Sequence, residues 1–149
     1  MTSEFDELQE AVIADMRKYY SEKVIDHFLK PRNLGEIQNA DGFGRVTGSC
    51  GDTMEIWLKV KNDIIAKATF MTDGCGTSIA SGSMITEMVK RKSILESHKV
   101  TQQDVLNALD GLPEESVHCA LLAADTLKTA IKDYLTFKNE PWKRAYRQY

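Results

Sequence analysis

Scarcities say more about this chain than abundances do. Of its 149 residues only three are Cys, three Pro and three His. Three is an odd number of cysteines, and no two form a Cys-x-x-Cys pair, so neither a disulfide framework nor a zinc ribbon or finger is expected. No apolar run approaches the length of a membrane span. Basic residues are not in excess: 19 Lys and Arg stand against 22 Asp and Glu, a net charge of -3. Phosphate recognition wants the opposite balance, which argues against nucleic acid as the partner. The start of the chain carries Glu4, Asp6, Glu7, Glu10 and Asp15, unlike the basic opening of a signal peptide or the acid-poor composition of a transit peptide. The expectation is a cytoplasmic protein with reduced thiols, bound to neither membrane nor nucleic acid.

What is present is ordinary for one soluble domain: 42% hydrophobic and 28% charged residues. Residues 4–18 place Phe5, Leu8, Val12, Ile13 and Met16 on a helical period, an extra helix ahead of the main domain. Ser21 reads as the N-cap of a second helix that Pro31 stops. A short strand is expected at residues 45–49. Ile56, Leu58 and Val60 alternate with polar neighbours in a second strand. After the Asn62-Asp63 turn, Ala66, Ala68 and Phe70 mark one face of a third. Helical patterns follow over residues 77–90 and, capped by Thr101, to about Leu109. Beyond Pro113 a long helix carries Val117, Leu121, Ala124, Leu127, Ile131 and Tyr134. This order predicts an α+β fold, helices packed on a small antiparallel three-stranded sheet. The segments divide as an extra helix over 1–18, a domain over 19–137 and a basic aromatic tail over 138–149. That tail holds Lys138, Trp142, Lys143, Arg144, Tyr146, Arg147 and Tyr149.

Each cysteine falls at or near an element boundary. Cys50 lies in Gly48-Ser49-Cys50-Gly51-Asp52, between the first two strands. Cys75 lies in Asp73-Gly74-Cys75-Gly76, where the third strand gives way to a helix. Cys119 follows His118 in the first turns of the long helix. Taken singly, a free cysteine is most often a packing residue. At about 100° per residue, however, Cys119 falls beside the apolar stripe of its helix rather than on it. The helix start after Cys75 should favour its thiolate. With Asp52 and His118, the three thiols offer three to five ligands of the kinds zinc and iron–sulfur clusters take. On these residues alone the identity of the metal stays open.

Further blocks lie around these: Tyr20-Ser21-Glu22-Lys23-Val24-Ile25-Asp26-His27, Pro31-Arg32-Asn33, Ile79-Ala80-Ser81 and Leu122-Ala123. With the cysteine segments, and in this order, the chain resembles the iron–sulfur cluster scaffold family, the IscU type that also forms the N-terminal domain of NifU. The resemblance runs from about Tyr20 to Tyr134. It implies Cys50, Cys75 and Cys119 as cluster ligands, completed by Asp52 or His118. It also implies a non-enzymatic scaffold. A cysteine desulfurase would supply sulfur as persulfide, and a labile 2Fe–2S cluster would form and pass to recipient apo-proteins. Zinc commonly occupies such sites in place of the cluster. A ferredoxin, a frataxin-like protein and a second copy in a homodimer are further partners of that kind.

Two departures from the family pattern are the extra N-terminal helix with the basic aromatic tail, and the stretch before the His-Cys pair. Relatives served by a dedicated Hsp70 chaperone carry Leu-Pro-Pro-Val-Lys before the His-Cys pair. Here Leu112-Pro113-Glu114-Glu115-Ser116 replaces it, which argues against that chaperone. The Cys75–Cys119 spacing also leaves no room for the insertion of the zinc-dependent sulfur-acceptor branch. A zinc-bound sulfurtransferase using the same cysteines is the alternative. A hydrolase built from Cys119, Asp52 and His118 or His27 is disfavoured, because adjacent side chains on one helix should diverge.

Overall fold

A computed structural model of the chain describes residues 3–142. Helix α1 (Glu4–Met16) is capped by Ser3 and α2 (Glu22–Leu29) by Ser21. Strands β1 (Gly42–Thr47), β2 (Thr53–Lys61) and β3 (Ile64–Thr72) follow, then α3 (Gly76–Val89), α4 (Ile94–His98), α5 (Gln102–Ala108) and α6 (Val117–Asn139). The strands form an antiparallel meander in the order β1-β2-β3. Alternation along β2 turns Met54, Ile56 and Leu58 to the core, each fully buried. They meet Phe70 and Ala68 of β3, Ile85 and Val89 of α3, and Leu127 and Ile131 of α6. The fold is α+β, as expected.

One close approach sets the frame. A Cβ on Gly44 would lie 2.5 Å from the Thr126 carbonyl oxygen and 2.6 Å from the Ala130 nitrogen. Bare glycine on β1, facing Thr126 and Ala130, lets the long helix lie almost on the strand. That contact aligns α6 with the sheet, so its first turn reaches the same sheet end as the β1–β2 connection and the end of β3.

The structure departs from the sequence reading in several places. β1 begins at Gly42 and stops at Thr47, short of Ser49. A bulge after Lys59 pairs Val60 with Ile65 and leaves Ala66 unpaired. Ala66 is therefore exposed, and Ile65 takes its place in the core. Helix α4 is too short to show a period in the sequence. Pro113 precedes a 3-10 turn, Glu114–Ser116, before α6 starts at Val117. Along α6 the buried stripe includes Cys119, Ala120, Leu122, Ala123, Leu127, Ala130 and Ile131, while Leu121 is 44% exposed. Alanine-rich turns are covered on a wide face, and the larger Leu121 misled the phase.

Helix α1 carries no buried residue: Phe5, Leu8 and Val12 are 72%, 63% and 52% exposed. At the other terminus α6 runs through Lys138, which ion-pairs with Asp63 at 2.6 Å. Residues 143–149, with Lys143, Arg144, Tyr146, Arg147 and Tyr149, lie outside the described residues. No described helix is long and apolar enough to cross a membrane.

Candidate metal and cluster site

Three chain segments converge where β1 and β3 end. The β1–β2 connection is closed by hydrogen bonds from the Gly48 N–H to the Asp52 carbonyl (2.8 Å) and from the Gly51 N–H to the Gly48 carbonyl (3.0 Å). Gly51 sits at φ 90°, a conformation that favours glycine. Cys50 lies exposed in this connection. After β3, Asp73 accepts the Thr53 N–H at 2.7 Å, tying the turn to β2. Cys75 then takes the N-cap position of α3, and α6 brings in His118 and Cys119.

Between these segments runs a chain of short polar contacts. The Cys75 sulfur lies 3.0 Å from Thr77 Oγ1, and the same hydroxyl lies 3.3 Å from the Cys119 sulfur. Ser78 Oγ is 3.3 Å from the Cys119 sulfur and 3.3 Å from Asp52 Oδ2. His118 Nε2 comes within 3.7 Å of the Cys119 sulfur. The structure thus gathers Cys75, Cys119, Asp52 and His118 around two hydroxyls. Among the described residues, no three His, Cys, Asp or Glu side chains stand close enough to hold a metal ion as they are.

Two expectations are corrected here. Cys119 is 1% exposed, not beside the buried face, because the start of α3 covers the first turn of α6. His118 and Cys119 also converge rather than diverge, although 3.7 Å is long for a nucleophile–base pair.

The two gathered thiols differ electrostatically. Burial alone would push Cys75 up, but donors outweigh it: the Thr77 hydroxyl, then the Ser78 and Thr77 N–H groups and the Ser78 hydroxyl. The Cys75 thiol is therefore held below its ordinary value. Cys119 goes the other way. Burial raises it, hydroxyl bonds from Ser78 and Thr77 oppose that, and the neighbouring Cys75 adds to the rise. One thiol is exposed and more acidic, the other buried and less so. Beside Cys75 opens a recess lined by Met16, Tyr20, Val24 and Phe28.

The sequence model for the NifU-like N terminal domain matches residues 19–141. The chain belongs to this family. The match extends slightly beyond both ends of the resemblance read from the motifs. An Archaeoglobus fulgidus protein named iron–sulfur cluster assembly scaffold protein IscU 1 is 52% identical over 116 residues, covering 77% of this chain and 76% of that one. The Escherichia coli scaffold protein IscU is 47% identical over 120 residues, 77% of this chain and 93% of the relative. The N-terminal NifU-like protein from Brucella abortus superposes with a TM-score of 0.64 at 17% identity, covering 81% of this chain and 97% of that one. At that identity the likeness shows the fold.

Thr77 and Ser78 went unremarked as site residues in the sequence, where Ser78 counted only as a small helical residue. A signal was available: two hydroxyls directly follow a cysteine at a helix start. His27 has a structural setting instead. Its Nδ1 lies 2.7 Å from Ser83 Oγ, which also accepts the Arg32 N–H at 2.9 Å. Those bonds, with Arg32 to Asp26 at 2.7 Å, lock α2 and the following turn onto α3.

Proposed function

We propose that this chain is a non-enzymatic scaffold on which a labile 2Fe–2S cluster is built and from which it passes to apo-proteins. The observation that carries this is the gathering of an acidic exposed thiol, a buried thiol and a carboxylate at one open sheet end, with Cys50 exposed on the adjoining turn. The donor set fits iron: soft thiolates for the metal, and a hard carboxylate or an imidazole as a weaker fourth ligand. Asp52 or His118 in the fourth place would let a cluster go more readily than a fourth cysteine would. Zinc, which takes the same donors, is the ion expected there without a cluster. The free thiols of this site require a reducing compartment such as the cytoplasm.

Cys75 suits the first sulfur step. Its thiolate attacks the outer sulfur of a persulfide on a cysteine desulfurase. A new S–S bond forms on Cys75 as the desulfurase S–S bond breaks and its cysteine leaves as thiolate. Each transferred sulfur must then gain two electrons to become bridging sulfide, which calls for a donor such as a ferredoxin. A frataxin-like protein is a candidate helper at the iron step. Cys119 loses its proton as metal binds.

Anaerobic reconstitution with ferrous iron, cysteine and a desulfurase tests this reading. The expected result is visible-region absorption of a 2Fe–2S cluster that an apo-ferredoxin then acquires. Tightly held zinc with persulfide turnover and no cluster spectrum would establish the sulfurtransferase instead. On the same reading, Asp52→Ala should prolong cluster lifetime; faster loss or an unchanged transfer rate would sink that assignment.

A further inference from the structure

Thr77 and Ser78 are 4% and 0% exposed, deeper than the cysteine they follow. Buried hydroxyls need partners. Inside a helix they usually turn back to a carbonyl one turn earlier. Ser81 does so on Thr77 (2.7 Å), Thr86 on Gly82 (2.9 Å) and Thr126 on Leu122 (2.7 Å). Thr77 and Ser78 occupy the first turn of α3, where the helix has no earlier carbonyl to offer. Their bonds go outward, to Cys75, Cys119 and Asp52.

We propose that Thr77 and Ser78 are positioning residues of the metal site. Thr77 sets the spacing of the Cys75 and Cys119 sulfurs, and Ser78 holds the Asp52 carboxylate beside Cys119. The inference rests on the ligand reading of the preceding subsection. Ser78 has one proton and two acceptors at the same 3.3 Å, so it donates to one at a time. When Asp52 accepts that hydrogen bond, the carboxylate is oriented toward the thiols. Gly74 makes room for this pairing: a Cβ there would fall 2.5 Å from Ser78 Oγ and 2.9 Å from Asp52 Oδ2. Outer hydrogen-bond partners of this kind fix ligand orientation, and losing one typically weakens metal binding by about 10–100-fold.

Cobalt(II), titrated anaerobically into the reduced full chain with zinc as competitor, reads thiolates and carboxylate separately. Wild type should show thiolate-to-cobalt charge-transfer absorption. Ser78→Ala should weaken affinity about 10-fold, shift the ligand-field bands and keep the charge-transfer intensity. In an Asp52→Ala background most of that loss should vanish. Thr77→Val, nearly isosteric, should weaken affinity to a similar degree and change the charge-transfer bands with or without Asp52. Alanine suits a helix, and equal melting temperatures across the set keep unfolding from imitating the result. Wild-type affinity in Ser78→Ala, or an equal loss without Asp52, overturns the role of Ser78; wild-type affinity in Thr77→Val overturns that of Thr77. If wild type gives no charge-transfer absorption and Cys75→Ser changes nothing, the ligand reading fails and this proposal falls with it.

Discussion

The two ends of the sheet are held by different chemistry. At the β2–β3 hairpin, Asp63 accepts the Tyr134 hydroxyl at 2.5 Å and the Lys138 ammonium at 2.6 Å. Nearby, Asp41 accepts the Val60 N–H at 2.8 Å and pairs with Lys59 at 3.6 Å. The Asp63 bonds fasten the hairpin to the last turns of α6, and the Asp41 bonds tie the chain just before β1 to β2. At the cysteine end one charge-assisted bond, from the Thr53 N–H to Asp73 at 2.7 Å, ties β3 to β2. The hydrogen bonds from α3 to α6 and Asp52, however, are hydroxyl bonds to sulfur and carboxylate at 3.3 Å, and Cys50 is exposed. Bonds to sulfur are weak and easily exchanged. On the proposed reading this asymmetry suits a scaffold, with one end fastened and the other free to close on a cluster.

The largest effect should come from separating the two ends by function. Cys75→Ser is expected to abolish the cluster spectrum while changing unfolding free energy by no more than about 0.5 kcal/mol, since the residue is exposed. A large drop in a urea melt would show that the cysteine end carries stability too. Next is the seam joining the ends. Gly44→Ala drives a Cβ into backbone atoms of α6, which cannot swing aside, and should destabilise by about 1–3 kcal/mol. Unchanged denaturation would mean that the strand–helix approach is looser than described.

Two pH effects sharpen the contrast further. Tyr134 is pushed up to about 12, first by burial and then by its bond to Asp63. Unfolded tyrosine ionises near 10. The contribution of the folded phenol is therefore complete below pH 10 and fades as pH rises from 10 toward 12. Tyr134→Phe should flatten that slope in denaturant melts at pH 9 and 11. His27 is lowered by burial first and by Arg32 second. Its neutral form belongs to the fold, so its contribution is complete above pH 6.5 and declines as pH falls through the lowered value. His27→Gln should reduce the acid sensitivity between pH 6.5 and 5. The smallest effect is expected from removing residues 1–18. No side chain of α1 is buried, so stability should move by about 0.5 kcal/mol or less; a larger change in melting temperature would make α1 part of the domain.

Much of the scaffold was legible because its signals are local. The caps Ser21 and Thr101 both accept the expected backbone N–H groups, from Val24 and Asp104. Alternation marked β2, and the Asn62-Asp63 turn adopts positive φ at both residues. Where the reading slipped, the deciding contact came from elsewhere in the chain. Ala66 left the core through a bulge set by pairing with β2. Cys119 entered it because α3 covers a face of α6 that its own period did not mark.

The sequence by itself determined the α+β order and the three cysteines at element boundaries, since caps, turns and periodicity act within a few residues. Only the tertiary structure decided how those cysteines differ. Cys75 stays exposed among donors, Cys119 is buried, and Cys50 stands apart on its turn. Burial and hydrogen bonding depend on which segments meet, and here α3, α6 and the β1–β2 connection meet through Thr77 and Ser78, two hydroxyls with no helical carbonyl of their own.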